Sequence, residues 1–320
     1  MKKILVTGSV GQIGSELTME LRKRYGNDNV VASGRKTKPS KTLEESGPFE
    51  FLDIVDSKTI EKVVKDYDID TIYNMAAILS ATGEERPLLC WDVNINGLNN
   101  ILELARTYEM TRVFVPSSIA AFGPETPRDL APQETVLKPK TMYGISKVAG
   151  ELLGDYYFAR YGLDVRGIRY PGIISSETPP GGGTTDYAVE IFYEAVKHKR
   201  YRCFVSKETV LPMMYMPDCI KGTIDLMEAD INKLKHHCDF NLASMSFSAG
   251  ELAAEIKTHI PSFSVEYRPD FRQKIAESWP KSIDDTAAQN EWDWKPNFTL
   301  ATMTKDMLER LQQRFEKGQL

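Results

Sequence analysis

The sequence predicts an α/β protein in which helices cover both faces of a doubly wound parallel sheet. In the first half of the chain, short apolar runs alternate with segments whose apolar residues have helical spacing. Glycines cluster directly after the first apolar run, where a strand would pass into a helix. With 42% apolar and 27% charged residues in a chain of 320, the composition is that of a globular protein with a substantial core.

The first predicted strand, 3–7, leads into a turn with glycines at positions 8, 11 and 14, and 15–25 has helical spacing. Glycines between a strand and a helix N-terminus let backbone amides approach a pyrophosphate, which the helix dipole also favours. The spacing is Gly-x-x-Gly-x-x-Gly instead of the usual Gly-x-Gly-x-x-Gly, so an ordinary glycine-rich loop is the alternative. We predict a dinucleotide-binding turn with Gly8, Gly11, Gln12 and Ile13 as its cofactor contacts.

The second predicted strand, 29–33, ends where an acid would bind the ribose hydroxyls of a dinucleotide. Gly34, Arg35 and Lys36 stand there instead. An arginine at this point suits a 2'-phosphate, which leaves NADP chemically open. The alternative is that Arg35 and Lys36 open a solvated loop.

The third predicted strand covers 49–54, with Asp53 and Ile54 at its end as further cofactor contacts and Asp53 facing the adenine edge. Ser57 is the predicted N-cap of the helix that follows. A long helix is predicted over 84–108. Within it, Asn94 and Asn96 either face water, or one of them orders the end of the next strand along the chain.

The fourth predicted strand covers 70–74 and leads into two alanines and a serine. Ala76 and Ala77 permit the close approach of a flat cofactor, and Ser80 lies where a substrate would be held. The carboxyl ends of parallel strands meet at one edge of a sheet, so these residues should share a site.

A hydroxyl, a phenol and an amine form the predicted catalytic set. The strand predicted over 113–118 ends at Ser118, and Tyr143 and Lys147 stand four residues apart on the following helix. At that spacing the two side chains share one helix face, and the charge of Lys147 would lower the pKa of the Tyr143 phenol. A solvated helix surface is the alternative for a Tyr-x-x-x-Lys pair taken alone.

These motifs together resemble the extended short-chain dehydrogenase/reductase family: Thr-Gly-x-x-Gly-x-x-Gly at 7–14, Asn-Met-Ala-Ala at 74–77, Ser118, and Tyr143 with Lys147. The resemblance implies a Rossmann-type sheet and a proton-transferring Tyr143. It also implies that Lys147 binds the nicotinamide ribose and that Ser118 holds the substrate oxygen.

Four further strings, at 169–175, 179–188, 211–218 and 277–280, resemble the short-chain type of L-threonine 3-dehydrogenases within that family. The resemblance implies oxidation of L-threonine to 2-amino-3-oxobutyrate with hydride transfer to NAD and without a metal ion. By the same resemblance, Ser80, Ser118, Tyr143, Thr185 and Trp279 line the amino-acid site. Two alternatives remain open at this point, an epimerase or dehydratase of nucleotide-linked sugars and a non-catalytic dinucleotide-sensing protein.

Cofactor preference is where the chain departs from the family pattern. Many of these enzymes have aspartate at the position of Gly34, and that aspartate selects NAD by binding the ribose diol. NAD is the expected cofactor, and NADP stays possible because Gly34 replaces the usual acid.

The predicted division of the chain places the dinucleotide-binding domain at 1–170 and a mainly substrate-binding region at 171–320, with some segments returning to the first domain. In the second part, Gly181 to Gly183 form a turn able to close over the substrate, and Thr184 is predicted to cap a helix at 186–198. Helices are also predicted at 218–227 and 300–315. The resemblance implies a homodimer formed by the helices at 84–108 and 142–161.

Composition and residue spacing argue against several other classes. A net charge of −5 gives no basic surface for nucleic acid. No apolar run approaches a membrane span or the core of a signal peptide, so we expect a soluble cytoplasmic protein. The four cysteines and four histidines show no metal-ligand spacing, so we expect no metal site and mostly buried, reduced thiols.

Overall fold

The computed structural model describes residues 1–179 and 181–320. Pro180, which belongs to the string at 179–188, lies outside the described residues. The strands, in chain order, are β1 Ile4–Thr7, β2 Val30–Gly34, β3 Phe49–Phe51, β4 Thr71–Asn74, β5 Arg112–Phe114, β6 Ser117–Ser118, β7 Val165–Arg166, β8 Ile168–Tyr170, β9 Gly172–Ile174, β10 Arg200–Cys203, β11 Val210–Tyr215, β12 Phe240–Asn241, β13 Met245–Ser248 and β14 Ser264–Tyr267.

The helices begin directly after the first glycine turn and alternate with the strands through the first half of the chain. They are α1 Gln12–Tyr25, α2 Lys41–Glu45, α3 Ser57–Asp66, α4 Ser80–Glu85, α5 Pro87–Trp91, α6 Gly97–Thr107, α7 Met142–Tyr161, α8 Tyr187–His198, α9 Met216–Glu228, α10 Ala249–His259, α11 Arg272–Glu277, α12 Thr286–Trp292 and α13 Leu300–Glu316. A π-helical segment, Asp92–Asn96, joins α5 to α6.

The central sheet has six parallel strands in the order β3-β2-β1-β4-β5-β7. All residues of β1, β2 and β4 are buried, as expected for strands covered on both faces. The chain crosses from β1 outward to β3 and then returns to β4 on the other side of β1. This reversal creates a crevice at the carboxyl ends of the strands and confirms the predicted doubly wound α/β fold.

Three smaller sheets, ordered β13-β11-β9, β12-β8-β6 and β10-β14, accompany the central one. Parts of the second half of the chain return to the first: α9 packs against α1, and β12 pairs with β8. The division at residue 170 stays a prediction. Among the described residues, no helix is both long and apolar enough to cross a membrane.

The helix predicted over 84–108 is interrupted. Arg86 adopts φ −137° and ψ 65°, and Pro87 begins α5 directly after it. Proline disfavours helical backbone in the residue before it, which explains why α4 ends there. Five residues of π-helix then precede α6. The single predicted helix is thus replaced by α4, α5 and α6, with the π-helical segment between the last two.

Three further boundaries differ from prediction. The strand predicted over 113–118 is divided at Pro116, and β6 joins β8 in another sheet. The strand predicted to Ile54 ends at Phe51. The N-cap of α3 is Asp56, whose side chain accepts the Lys58 amide, so Ser57 is already the first helical residue.

The cap predicted at Thr184 is also wrong, because α8 begins at Tyr187 with Asp186 in the capping position. The Thr184 hydroxyl instead lies 3.1 Å from that of Ser80. This contact joins the segment before α8 to the first residue of α4.

A buried ion pair fixes α7 to the strands behind it. The Glu151 carboxylate accepts bonds from Arg169 Nε at 2.9 Å and Nη2 at 2.8 Å, and the Ser117 hydroxyl also donates to it. Arg169 Nη1 donates to the Gln133 carbonyl and to the Asn241 side chain. With both charges hydrogen-bonded, the desolvation of the pair is offset and the position of α7 relative to β6, β8 and β12 is determined.

Helix α1 is joined to the chain after β9 by a second carboxyl group, that of the partly buried Glu16. Ser175 donates to Glu16 Oε1 at 2.5 Å. Burial raises the pKa of Glu16 from 4.5 to about 7, with the Glu177 charge adding to the rise, while the Ser175 hydrogen bond and the charges of Arg310 and Arg314 oppose it. The folded protein therefore favours the protonated form of Glu16.

This raised pKa predicts a pH dependence of stability. The stabilisation from protonated Glu16 is complete below pH 4.5 and is lost as the pH rises through about 7. Glu16→Gln, which keeps the shape and cannot ionise, should raise the free energy of unfolding at pH 8 by about 1–2 kcal/mol relative to the wild type. Urea unfolding from pH 5 to 8 measures this, with Glu20→Gln on the exposed face of α1 as the control. An equal pH dependence in the wild type and Glu16→Gln would contradict the assignment.

Candidate active site

A cavity of about 230 Å³ opens at the carboxyl ends of the central strands. Its walls come from the glycine turn, from the chain after β4, from β6 and the start of α7, and from the segments around residues 170–173, 183–186 and 279. The cavity thus lies in the crevice that the strand order creates. Residues from both halves of the chain line it.

The glycine turn has the geometry that a pyrophosphate requires. Gly8 has φ +65°, and a Cβ there would lie 2.8 Å from the Ala76 amide nitrogen. A Cβ on Gly14 would lie 2.3 Å from the Gly8 carbonyl oxygen, so only glycine lets α1 approach the turn this closely. The first turn of α1 has no side-chain cap from Gly11, which leaves its amides able to bind an anion.

Gln12 gives a second indication that this turn binds a ligand. Its side-chain nitrogen Nε2 is buried without a hydrogen-bond partner among the described residues, and the residue lines the cavity. A buried donor without a partner is costly, and a bound phosphate or sugar oxygen would satisfy it. The turn therefore fits a dinucleotide held by Gly8, Gly11, Gln12 and Ile13, all of which line the cavity.

The three predicted catalytic residues lie together on the cavity wall. Thr141 caps α7 by accepting the Gly144 amide, which places Tyr143 in the first turn. Lys147 is one turn further along, with its Nζ 5.2 Å from the centre of the Tyr143 ring and donating to the Pro116 carbonyl at 2.7 Å. Ser118 faces them from the end of β6.

The acid–base properties of the pair differ from the prediction. Burial raises the pKa of Tyr143 to about 12, although a hydrogen bond with Ser118 opposes the rise. Burial also lowers the pKa of Lys147 to about 8. The Tyr143 pKa is therefore shifted upward overall, because the loss of hydration outweighs the Ser118 hydrogen bond, and the lowering of this pKa by Lys147 stays a prediction.

The predicted substrate residues Ser80, Thr185 and Trp279 line the same cavity. Ser80 is buried, and its hydroxyl accepts the Thr184 amide at 3.3 Å. Trp279 is 4% exposed and closes the cavity from the second half of the chain. These positions, which are more than 90 residues apart in sequence, converge within one enclosure.

Asp186 was missed by the sequence analysis, although it lines the cavity. Its Oδ2 accepts the amides of Gly182 and Gly183 at 2.9 and 2.7 Å, and Oδ1 has no hydrogen-bond partner among the described residues. Burial raises the pKa of Asp186, while the two amides oppose the rise. The sequence could have indicated this residue by its position shortly after three glycines, because an acid there can accept their backbone amides and order the turn.

Asn94 is buried and orders a backbone segment, but that segment follows β4 and is not the end of the next strand, as the sequence predicted for Asn94 or Asn96. Its side chain accepts the Ile78 amide at 2.8 Å and donates to the Ile78 carbonyl at 3.0 Å. It also donates to Ser146 on α7 at 3.0 Å. Asn94 thereby holds the chain after β4 against α7.

Of the remaining predicted cofactor residues, all except Ala77 lie outside the lining of the main cavity. Gly34 ends β2, and Arg35, Asp53 and Ile54 follow β2 and β3 at the same edge of the sheet. Ile54 is buried, so its side chain serves the core. Ala77 lines the main cavity, whereas Ala76 lines only a small adjoining one of about 20 Å³.

The four cysteines are free and buried, as predicted. Among residues 1–179 and 181–320, no group of three or more histidine, cysteine or acidic side chains is arranged to hold a metal ion.

Comparison with known proteins shows the family to which this chain belongs. Residues 4–243 match the model of the NAD dependent epimerase/dehydratase family. An uncharacterized epimerase/dehydratase from Staphylococcus haemolyticus is 48% identical, over 98% of this chain and 99% of the relative.

Two solved structures are similar over nearly the whole chain. An L-threonine dehydrogenase from Clostridium difficile is 52% identical, with a TM-score of 0.95 over 98% of each chain. A monomeric L-threonine 3-dehydrogenase from a metagenome, in its apo form, is 49% identical, with a TM-score of 0.94 over 97% of this chain and 99% of the other. The predicted resemblance is thereby confirmed, and the chain belongs to the NAD dependent epimerase/dehydratase family of extended short-chain dehydrogenases/reductases.

Proposed function

We propose that this enzyme oxidises the β-hydroxyl of L-threonine to give 2-amino-3-oxobutyrate, with NAD as the hydride acceptor. The observation that carries the proposal is one cavity that joins Ser118 and Tyr143 to a free carboxylate oxygen of Asp186. The first two suit an alcohol, and the third suits the α-ammonium of an amino acid. The similarity to solved L-threonine dehydrogenases at about 50% identity supports the same substrate.

In the proposed reaction, Ser118 holds the substrate oxygen and deprotonated Tyr143 accepts its proton. A bound oxidised nicotinamide would supply the hydride acceptor and a positive charge that favours the tyrosinate form of Tyr143. Lys147 donates to the Pro116 carbonyl, which fixes its amine on the cavity wall, and the same amine would bind the nicotinamide ribose of a bound cofactor. The proposal includes no metal ion, because Tyr143 supplies the base.

An epimerase or dehydratase acting on nucleotide-linked sugars is the alternative within the family. Such a substrate carries a diphosphate in addition to that of the cofactor, and arginine is the side chain best suited to bind it. Among the described lining residues, Lys147 is the one cation and Asp186 the one acid. This balance favours a zwitterionic substrate over a second diphosphate.

L-Threonine added with NAD should produce NADH, which is measured as absorbance growth at 340 nm. Tyr143→Phe should lower kcat by about 100-fold or more, because the variant lacks the group that accepts the proton. Dinucleotide binding by the variant, measured by fluorescence, should persist and shows that it is folded. Near-normal turnover in Tyr143→Phe would remove this residue from the mechanism. Absence of NADH release with threonine would favour the sugar-nucleotide alternative.

Asp186→Asn should raise KM for L-threonine by about tenfold or more, because a charge-assisted hydrogen bond to the α-ammonium is lost. The asparagine oxygen can still accept the amides of Gly182 and Gly183, so the turn should remain ordered. Steady-state kinetics measure the effect, with Glu194→Gln on the same helix as the control. Oxidation of 3-hydroxybutyrate, which lacks the ammonium group, should not become weaker in Asp186→Asn. An unchanged KM for threonine would contradict this role.

We also propose a homodimer formed through the adjacent helices α5 and α7. Leu88 on α5 is 84% exposed, and Leu152 and Tyr156 on α7 are 64% and 53% exposed. Exposed apolar side chains grouped on neighbouring helices mark an interaction surface. The metagenomic relative is described as monomeric, so the oligomeric state requires a direct test.

Leu152→Glu should convert the dimer to a monomer, because a charge would be buried at the interface. Sedimentation velocity measures the change. Leu130→Glu, at an apolar loop position that is 67% exposed, is the matched control and should remain dimeric. A monomeric wild-type protein at micromolar concentration would contradict the proposal.

A further inference from the structure

The adenosine end of the site has an unusual charge distribution for a protein that binds NAD. Gly34 occupies the end of β2, where an acid would accept the ribose hydroxyls, and it contributes no side chain. Arg35 follows directly, with 53% of its side chain exposed. The next exposed cations, Lys36 and Lys38, lie within three residues of it.

The Arg35 guanidinium is free to bind a ligand. Its one ion pair among the described residues is with Asp53, at an Nη1 to Oδ2 distance of 3.9 Å, and both side chains are more than a third exposed. An ion pair this long and this exposed to solvent contributes little to stability, so it does not hold Arg35 in place. Asp53 Oδ1 accepts the Val55 amide at 3.1 Å, so Asp53 is anchored to its own loop independently of Arg35.

We propose that Gly34 and Arg35 form a 2'-phosphate subsite, so that this enzyme accepts NADP as well as NAD. The inference rests on the proposed function insofar as the cavity holds a nicotinamide dinucleotide. It concerns only the adenosine ribose. The chemistry of threonine oxidation is the same with either cofactor.

This subsite should discriminate less between NAD and NADP than a subsite that has an acid at the end of β2, for two reasons. An acid repels a phosphate and accepts hydrogen bonds from a ribose diol, and this chain has neither effect at Gly34. Arg35 supplies a planar set of donors that matches phosphate geometry, and Lys36 and Lys38 add positive charge nearby. The Asp53 carboxylate opposes phosphate binding in part, which is why we infer dual use and not a strict preference for NADP.

The surroundings of Gly34 are adapted to the missing side chain. A Cβ there would lie 3.3 Å from the tip of the Phe49 ring and 3.3 Å from Cγ2 of Val10. Both contacts are shorter than most Cβ contacts, so the Phe49 and Val10 side chains must shift slightly to accommodate an aspartate at position 34. Because the contacting atoms belong to side chains and not to the backbone, such a shift is feasible and Gly34→Asp should fold.

The test is the ratio of dissociation constants for NADPH and NADH, measured on the ligand-free protein by tryptophan quenching. In the wild type the two constants should lie within about tenfold of each other. Arg35→Gln should shift the ratio against NADPH by about tenfold or more, because a charge-assisted bond to the phosphate is lost. Gly34→Asp should tighten NADH, weaken NADPH and so move the ratio in the same direction.

Lys41→Gln is the matched control, because Lys41 is an exposed cation on α2 that pairs with Glu45 at 3.6 Å. It should leave the ratio unchanged. Competition by 2',5'-ADP and by 5'-ADP isolates the subsite from the nicotinamide, and Arg35→Gln should weaken only the former. A wild-type preference for NADH above about 100-fold, or an equal loss of both cofactors in Arg35→Gln, would overturn the inference. Failure of the wild type to bind either dinucleotide would overturn the proposed function as well.

Discussion

The orientation of α7 is the constraint on which the site depends, and the buried pair of Glu151 and Arg169 determines it. Glu151 lies two turns beyond Tyr143 on the same helix face, with Lys147 between them. Its carboxylate is held by a guanidinium from β8 and by the Ser117 hydroxyl from β6. Because both charges are buried, either one alone would carry a large desolvation cost, so the strands and the helix must keep their relative positions.

The same burial that fixes the helix sets the protonation of its functional groups. Enclosure raises the pKa of Tyr143 to about 12 and lowers that of Lys147 to about 8. Both shifts disfavour the charged forms, because the enclosure reduces the hydration of a phenolate and of an ammonium alike. Ionisation of Tyr143, which the proposed reaction requires, would therefore need a positive charge on a bound molecule to oppose this effect.

Much of this arrangement could be predicted from the sequence, because local patterns report local structure. The alternation of apolar runs and helical segments gave the parallel sheet, and the glycine turn and Tyr143 with Lys147 were found by their spacing. Asp186 was not found, because its role depends on a cavity built by distant segments. The upward shift of the Tyr143 pKa was not predicted, because burial is a tertiary property. The break at Arg86 was missed although Pro87 signalled it, since the apolar spacing on both sides suggested one continuous helix.

The π-helical segment at 92–96 gives the fold an unequal tolerance to changes in chain length. A π turn holds one residue more than an α turn, and here it places the Asn94 amide against the Ile78 backbone. Because the wide turn absorbs its extra residue locally, deleting one residue from this segment would restore regular α-helix with the apolar face of α6 still toward the sheet. The deletion would instead move the Asn94 side chain away from the Ile78 backbone and from Ser146. A one-residue deletion here is thus compatible with the packing of α6 and incompatible with the contacts that order the chain after β4.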